Sequence, residues 1–174
     1  MRTLLLMRHA KSDWAQGGAS DIERLLNERG KKAAVRMGQW LVQQQLYPAV
    51  VVCSIANRTR ETLSGLRRHL NINAEQIHFE QRAYLADVQM LLQLIAEQSE
   101  SSDQQHPVLL IAHNPGLEAL LVYLCGTEIP LSASGKLVPS ATIAQIQLPD
   151  SWYDLRRGCG SLQCIVRPGE LDRD

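Results

Sequence analysis

No stretch of the 174-residue chain approaches the run of about 18 apolar residues that crosses a bilayer. The N-terminal apolar run that begins at Thr3 is stopped by Arg8, too soon for the hydrophobic core of a signal peptide. Both absences predict a cytoplasmic protein without a membrane partner. Net charge is lacking as well. Eighteen basic residues balance eighteen acidic ones, so no global field draws the chain to nucleic acid or an anionic surface. Only four cysteines are present. Cys53 and Cys125 lie in apolar stretches and read as small core residues. Cys159 and Cys164 lack the second pair that a zinc site needs, and this density does not make a disulfide framework. There is no internal repeat and no low-complexity segment. With 45% apolar and 21% charged residues, residues 1–174 are expected to form one domain with a full core.

What is present is a set of apolar runs ending in chemistry. Thr3 to Met7 reads as a buried strand without polar alternation, and it delivers Arg8 and His9 together. Asn27 is placed to cap a helix whose apolar face carries Ala33, Met37, Trp40 and Leu41. After Pro48, Ala49 to Cys53 reads as a second buried strand. Ser54 to Asn57 then turns into a helix with Leu63, Leu66 and Leu70 on one stripe. Ile77 to Glu80 alternates as a short strand, and Asp87 begins a helix carrying Val88, Leu91, Leu92 and Ile95. Val108 to Ala112 is a third apolar strand. It ends at His113-Asn114-Pro115-Gly116, where Asn114 is expected to cap and Pro115 to open the helix that Gly126 ends. Ala141–Leu148 and Leu162–Val166 read as closing strands that pair antiparallel. Strands alternating with helices predict an α/β fold, a three-layer α/β/α sandwich with a mostly parallel central sheet.

Ligands of such sheets sit at the carboxyl ends of the strands. Three of those ends carry Arg8 and His9, then Ser54 to Thr62 with Arg58, then His113 and Asn114. As neighbours, they would bring two arginines and two histidines around one dianion. Arginine offers a planar fork of donors, and a neutral histidine nitrogen can attack phosphorus and leave again. One charge pair at 4 Å is worth roughly 4 kcal/mol at an effective dielectric near 20. Helix N-termini after Asn57 and Asn114 would add backbone donors.

Arg8-His9-Ala10-Lys11-Ser12, then Arg58 in its serine-led helix, then Ala112-His113-Asn114-Pro115-Gly116, resemble the histidine phosphatase (phosphoglycerate mutase-like) superfamily. More narrowly, the chain is similar to the SixA-type phosphohistidine phosphatases, the small branch without large insertions. The likeness extends to Arg24-Leu25-Leu26-Asn27-Glu28-Arg29-Gly30 and to the tail around Trp152, Gly160 and Pro168. The resemblance implies a phosphoglycerate mutase-like fold and a covalent two-step transfer without metal or cofactor. In it His9 is the nucleophile, while Arg8, Arg58 and His113 hold the phosphoryl oxygens. Asn114 and Ser12 join them as substrate-binding residues. His9 must be neutral to attack, and flanking arginines would lower its pKa.

The sequence departs from the family where Ala10 replaces a glycine, and where Ile55 and Thr59 replace a proline and an alanine. The relatives that cleave alkyl esters use a carboxylic general acid. By position Glu80 and Asp87 are the nearest, but Asp87 also reads as a helix N-cap and Glu80 as a solvated strand end. Without an acid, a P–N bond is the easier target, because protonated imidazole departs readily. The expected substrate is therefore a histidine-phosphorylated signalling or phosphocarrier protein, reached through a shallow pocket. A small-molecule phosphomonoesterase and a non-catalytic phosphate-binding module are the rival readings. Ser12 and Asp13 either shape the loop or bond His9, and Lys11 faces solvent or an acidic partner. Trp14 is core or pocket wall, Trp40 is core, and the Ala15–Ser20 loop with Gly17-Gly18 is expected to be mobile. His69, His78 and His106 read as ordinary surface or strand residues.

Overall fold

The computed structural model describes residues 1–14 and 18–171. The expected mobility of the Gly17-Gly18 loop thus falls on a segment of which residues 15–17 lie outside the described residues.

Six strands form one sheet: β1 (Arg2–Arg8), β2 (Val50–Ser54), β3 (Ile77–Glu80), β4 (Val108–Ala112), β5 (Ile143–Leu148) and β6 (Ser161–Val166). Their order is β3-β2-β4-β1-β5-β6. The first four are parallel, whereas β5 runs antiparallel to both β1 and β6. The helices are α1 (Glu28–Gln43), α2 (Asn57–Leu66), α3 (Val88–Ser99), α4 (Gly116–Cys125) and the short α5 (Pro168–Leu171).

Strand periodicity sorts the core into two layers. Leu5, Met7, Val51, Cys53, Leu109 and Ile111 point to one face and meet Met37 and Leu41 of α1 and Leu63 and Leu66 of α2. Leu4, Leu6, Val50, Val52, Val108 and Leu110 point to the other and meet Leu91 and Ile95 of α3 and Leu117 and Leu121 of α4. Both faces of the central strands are covered, so those strands carry apolar residues at consecutive positions, Leu4–Met7, Val50–Cys53 and Val108–Ala112, rather than at every second one. The three-layer α/β/α sandwich follows.

Two capping expectations hold. Asn27 accepts from Gly30 N at 2.8 Å, and Asp87 accepts from Met90 N at 2.9 Å. Others need correction. The helix after Pro115 starts at Gly116 with Pro115 itself at the cap position, and the Asn114–Pro115 peptide is cis. Asn114 does not cap it, because its amide is turned away to donate to Glu118 (3.2 Å) and the Val138 carbonyl (2.9 Å). α2 ends at Leu66, short of Leu70, and β5 begins at Ile143 after Ala141 takes φ 61°. Among the described residues no helix is long and apolar enough to cross a membrane.

Candidate active site

Register assembles the site. β1 and β4 lie in parallel with Arg8 beside Ala112, and the His9 backbone N–H donates to the Ala112 carbonyl. The next residue on each strand is a histidine, so the two rings must meet at the sheet edge. Their centroids lie 5.4 Å apart at 53°. β2 flanks β4 on the other side and contributes Ser54, whose Oγ is 2.8 Å from His113 Nε2. α2 starts directly after β2 and carries Arg58 in its first turn. Arg8, His9, Ser12, Arg58, His113 and Asn114 all line one cleft of about 400 Å³.

His9 has a defined tautomer. Nδ1 lies 2.8 Å from the Ala10 carbonyl, which can only accept, so Nδ1 carries the proton and Nε2 keeps its lone pair. The Ala10 peptide is itself anchored, because its N–H donates to Thr62 Oγ1 at 2.9 Å, and Thr62 donates to the Arg58 carbonyl. Thr62 thus ties the loop after β1 to the first turn of α2.

Electrostatics keep both rings neutral. His9 is pushed down to about 4, by burial first and then by the charges of Arg58, Arg8 and Arg24, with its bond to Ala10 pulling the other way. The arginines act as expected, but burial is the larger cause. His113 falls to about 3 through burial, then through His9, Arg58 and Arg8, against the opposing charge of Asp21.

The arginines are held by groups that leave part of each fork free. Arg8 Nη1 donates to the Val138 carbonyl at 3.1 Å. Arg58 donates to the Asp21 carbonyl (2.7 Å) and to the Asp21 carboxylate (3.0 Å). Arg8 Nε, Arg58 Nε and His113 Nδ1 are buried without a hydrogen-bond partner among the described residues. Buried polar nitrogens without partners are costly, and a bound anion would satisfy them.

Asp21, Arg24 and Tyr84 were not singled out for this site by sequence. Asp21 and Arg24 line the cleft from a short 3-10 turn and the residue after it. Tyr84 donates to Asp21, and its ring meets His113 edge-on at 5.5 Å. The Tyr84 hydrogen bond and the Arg58 charge hold the Asp21 carboxyl below the usual carboxylate range. Asp21 is 37 residues from Arg58 in sequence, with α1 and β2 between them and no periodicity to connect them. The available signal was the Arg24–Gly30 stretch that precedes α1.

Ser12 bridges Leu26 through its backbone, and Asp13 accepts from Asn27 Nδ2 at 3.0 Å, so Asp13 supports the α1 cap while the Ala10 carbonyl takes His9 Nδ1. Trp14 is not core: it is 84% exposed, lines the cleft, and lies against Arg24 at 5.1 Å. Lys11 is exposed at the rim, Trp40 is buried, and His69 and His106 are on the surface. Glu80 is engaged with Arg82 and Gln98, and Asp87 with its cap, both outside the cleft lining. Thr59, standing where the family has alanine, donates its buried hydroxyl to the Ser54 and Ala56 carbonyls. Among the described residues no three His, Cys, Asp or Glu side chains group as a metal site requires.

Residues 4–88 match the histidine phosphatase superfamily (branch 1). The uncharacterised protein ML1117 of Mycobacterium leprae is 32% identical over 157 residues, which cover 86% of this chain and 91% of that one. The candidate phosphohistidine phosphatase SixA of Nakamurella multipartitia superposes with a TM-score of 0.80 at 29% identity, over 96% of each chain. The chain belongs to the histidine phosphatase superfamily. Within it the resemblance is to the SixA type. The fold of this histidine phosphatase also matches that of the protein histidine phosphatase SixA complexed with tungstate, with a TM-score of 0.80 at 23% identity over 98% of this chain and 99% of that one. The chain is therefore a phosphatase with the phosphoglycerate mutase-like fold.

Proposed function

We propose that this phosphatase removes phosphate from a histidine-phosphorylated signalling or phosphocarrier protein through a phosphohistidine on His9. The observation that carries this reading is the tautomer of His9: Nδ1–H is tied to the Ala10 carbonyl, so Nε2 is the free nucleophile. In the first step Nε2 bonds to phosphorus as the P–N bond of the substrate breaks, and the departing imidazole takes a proton from solvent. In the second, water attacks phosphorus and the P–Nε2 bond breaks, which releases inorganic phosphate and restores neutral His9. Arg8 Nε, Arg58 Nε and His113 Nδ1 donate to the three equatorial oxygens, whose charge is spread in a loose transition state. For His113 to donate, Ser54 must direct its hydroxyl proton to Nε2. The Ala56 N–H on Ser54 Oγ at 3.4 Å favours that arrangement. No step calls for a metal ion.

The substrate class follows from acid chemistry. Among the described residues lining the cleft, Asp21 is the one carboxylate, and its partners keep it ionised. An ionised carboxylate cannot protonate an alkoxide, whereas imidazole leaves after protonation by water. General acid catalysis contributes about 10²- to 10⁴-fold where it operates. kcat/KM on phosphohistidine protein should accordingly exceed that on sugar phosphates by about 10² or more. Preference for the sugar phosphates would overturn this reading in favour of a small-molecule phosphomonoesterase.

A further inference from the structure

The cleft that holds His9 continues along the surface. Arg8, Lys11 and Ser140 form a wall shared with a second cleft of about 500 Å³, lined further by Arg29 and Lys136. Arg29, Ala33, Pro168 and Gly169 are shared in turn with a third cleft of about 670 Å³, which Lys32 and Arg36 also line. The three make one track from the end of β1 across the start of α1.

Its charge is predominantly positive, with Asp21 the one carboxylate lining the first cleft among the described residues. Among the described residues the one carboxylate lining the second cleft is Glu170, 3.4 Å from Arg167, and none lines the third. A chain with no net charge has concentrated its cations here. Arg29, Lys32 and Arg36 recur at i, i+3 and i+7 and so share one side of α1. Their position works against the helix. Cations favour the C-terminal end of a helix dipole, yet Arg29 and Lys32 lie in the N-terminal half and Arg36 at the middle, and the last turn of α1 carries none. Helix stability therefore does not account for the stripe.

We propose that this track docks an acidic segment of the histidine-phosphorylated protein whose phosphoryl group enters the His9 cleft. The proposal deepens the function proposed above and rests on it. Length selects a macromolecule over a small ester. Arg29 to Arg36 alone spans about 10 Å of helix at 1.5 Å per residue, beyond the second cleft. A sugar phosphate seated on His9 does not reach that far.

Two synthetic phosphohistidine peptides test it, one flanked on both sides by glutamates and one by glutamines at the same positions. The protein should show a KM about tenfold lower for the glutamate peptide, as a few exposed ion pairs supply, and the advantage should fade with added salt. The triple variant Arg29→Glu, Lys32→Glu, Lys136→Glu should lose that advantage while turning over the glutamine peptide within about twofold of the original rate. Equal KM values for the two peptides, an advantage that survives the triple variant, or equal losses on both peptides would each overturn the docking proposal and leave the chemistry standing. If neither peptide is hydrolysed, the proposed function falls and the docking surface with it.

Discussion

His9 and His113 face each other with ring centroids 5.4 Å apart because β1 and β4 run side by side and each strand continues into a histidine. The arrangement removes both imidazoles from water between two arginines. It is unfavourable for a charged ring and suited to a neutral nucleophile that receives an anion.

That arrangement makes stability depend on pH. In the unfolded chain each histidine titrates near its ordinary 6.5, while in the folded protein His9 holds out to about 4 and His113 to about 3. Below about pH 6.5 the unfolded state binds protons that the folded state refuses. The stabilisation is thus complete above 6.5 and is lost as pH falls toward 4. At 1.36 kcal/mol per pH unit, His9 alone accounts for about 3 kcal/mol. Urea unfolding at pH 7, 5.5 and 4.5 should show a steeper loss for the natural protein than for His9→Asn, in which the carboxylates titrate alike. Parallel losses would contradict the burial of a neutral ring.

Arg58 donates two hydrogen bonds to Asp21, and its Nε is buried without a hydrogen-bond partner among the described residues. Lysine keeps the charge but puts all its donors on one nitrogen and cannot reproduce the planar fork that lets Nη1 and Nη2 reach Asp21 while Nε serves a phosphoryl oxygen. Arg58→Lys should lower kcat/KM by about 10²- to 10³-fold, in the range seen on removing one transition-state donor. Steady-state kinetics on a phosphohistidine substrate measure this, and a loss under fivefold would show that Arg58 serves the fold rather than the reaction.

Thr62 accepts from Ala10 N–H and donates to the Arg58 carbonyl. Thr62→Val keeps the shape and orphans the Ala10 N–H, while the Arg58 carbonyl keeps its helical backbone donor, at a cost of about 1–3 kcal/mol. Thermal or urea unfolding should show that loss. kcat should fall with it, because the Ala10 carbonyl that fixes the His9 tautomer is no longer anchored. Full kcat in a destabilised variant would mean that Thr62 acts on stability alone.

Much of this was legible in the chain. β1, β2 and β4 announce themselves as apolar runs because strands covered on both faces need no polar residues, and the residues that follow each run meet in one cleft. What periodicity does not carry was missed. Asp21 and Tyr84 reach the site from a 3-10 turn and the loop before α3, positions set by tertiary contacts with Arg58. Asn114 has the composition of a cap, but Glu118 and the Val138 carbonyl compete for its amide. Trp14 reads from sequence as core or pocket wall, and the choice of pocket wall, over Arg24, depends on how the loop leaves β1.

The central claim is that phosphate passes through His9, and rapid quenching with a radiolabelled phosphohistidine protein tests it most directly. Acid-labile, alkali-stable label is expected on the phosphatase, absent from His9→Ala and retained in His78→Ala. Label that persists in His9→Ala, or turnover by that variant at the natural rate, would contradict it.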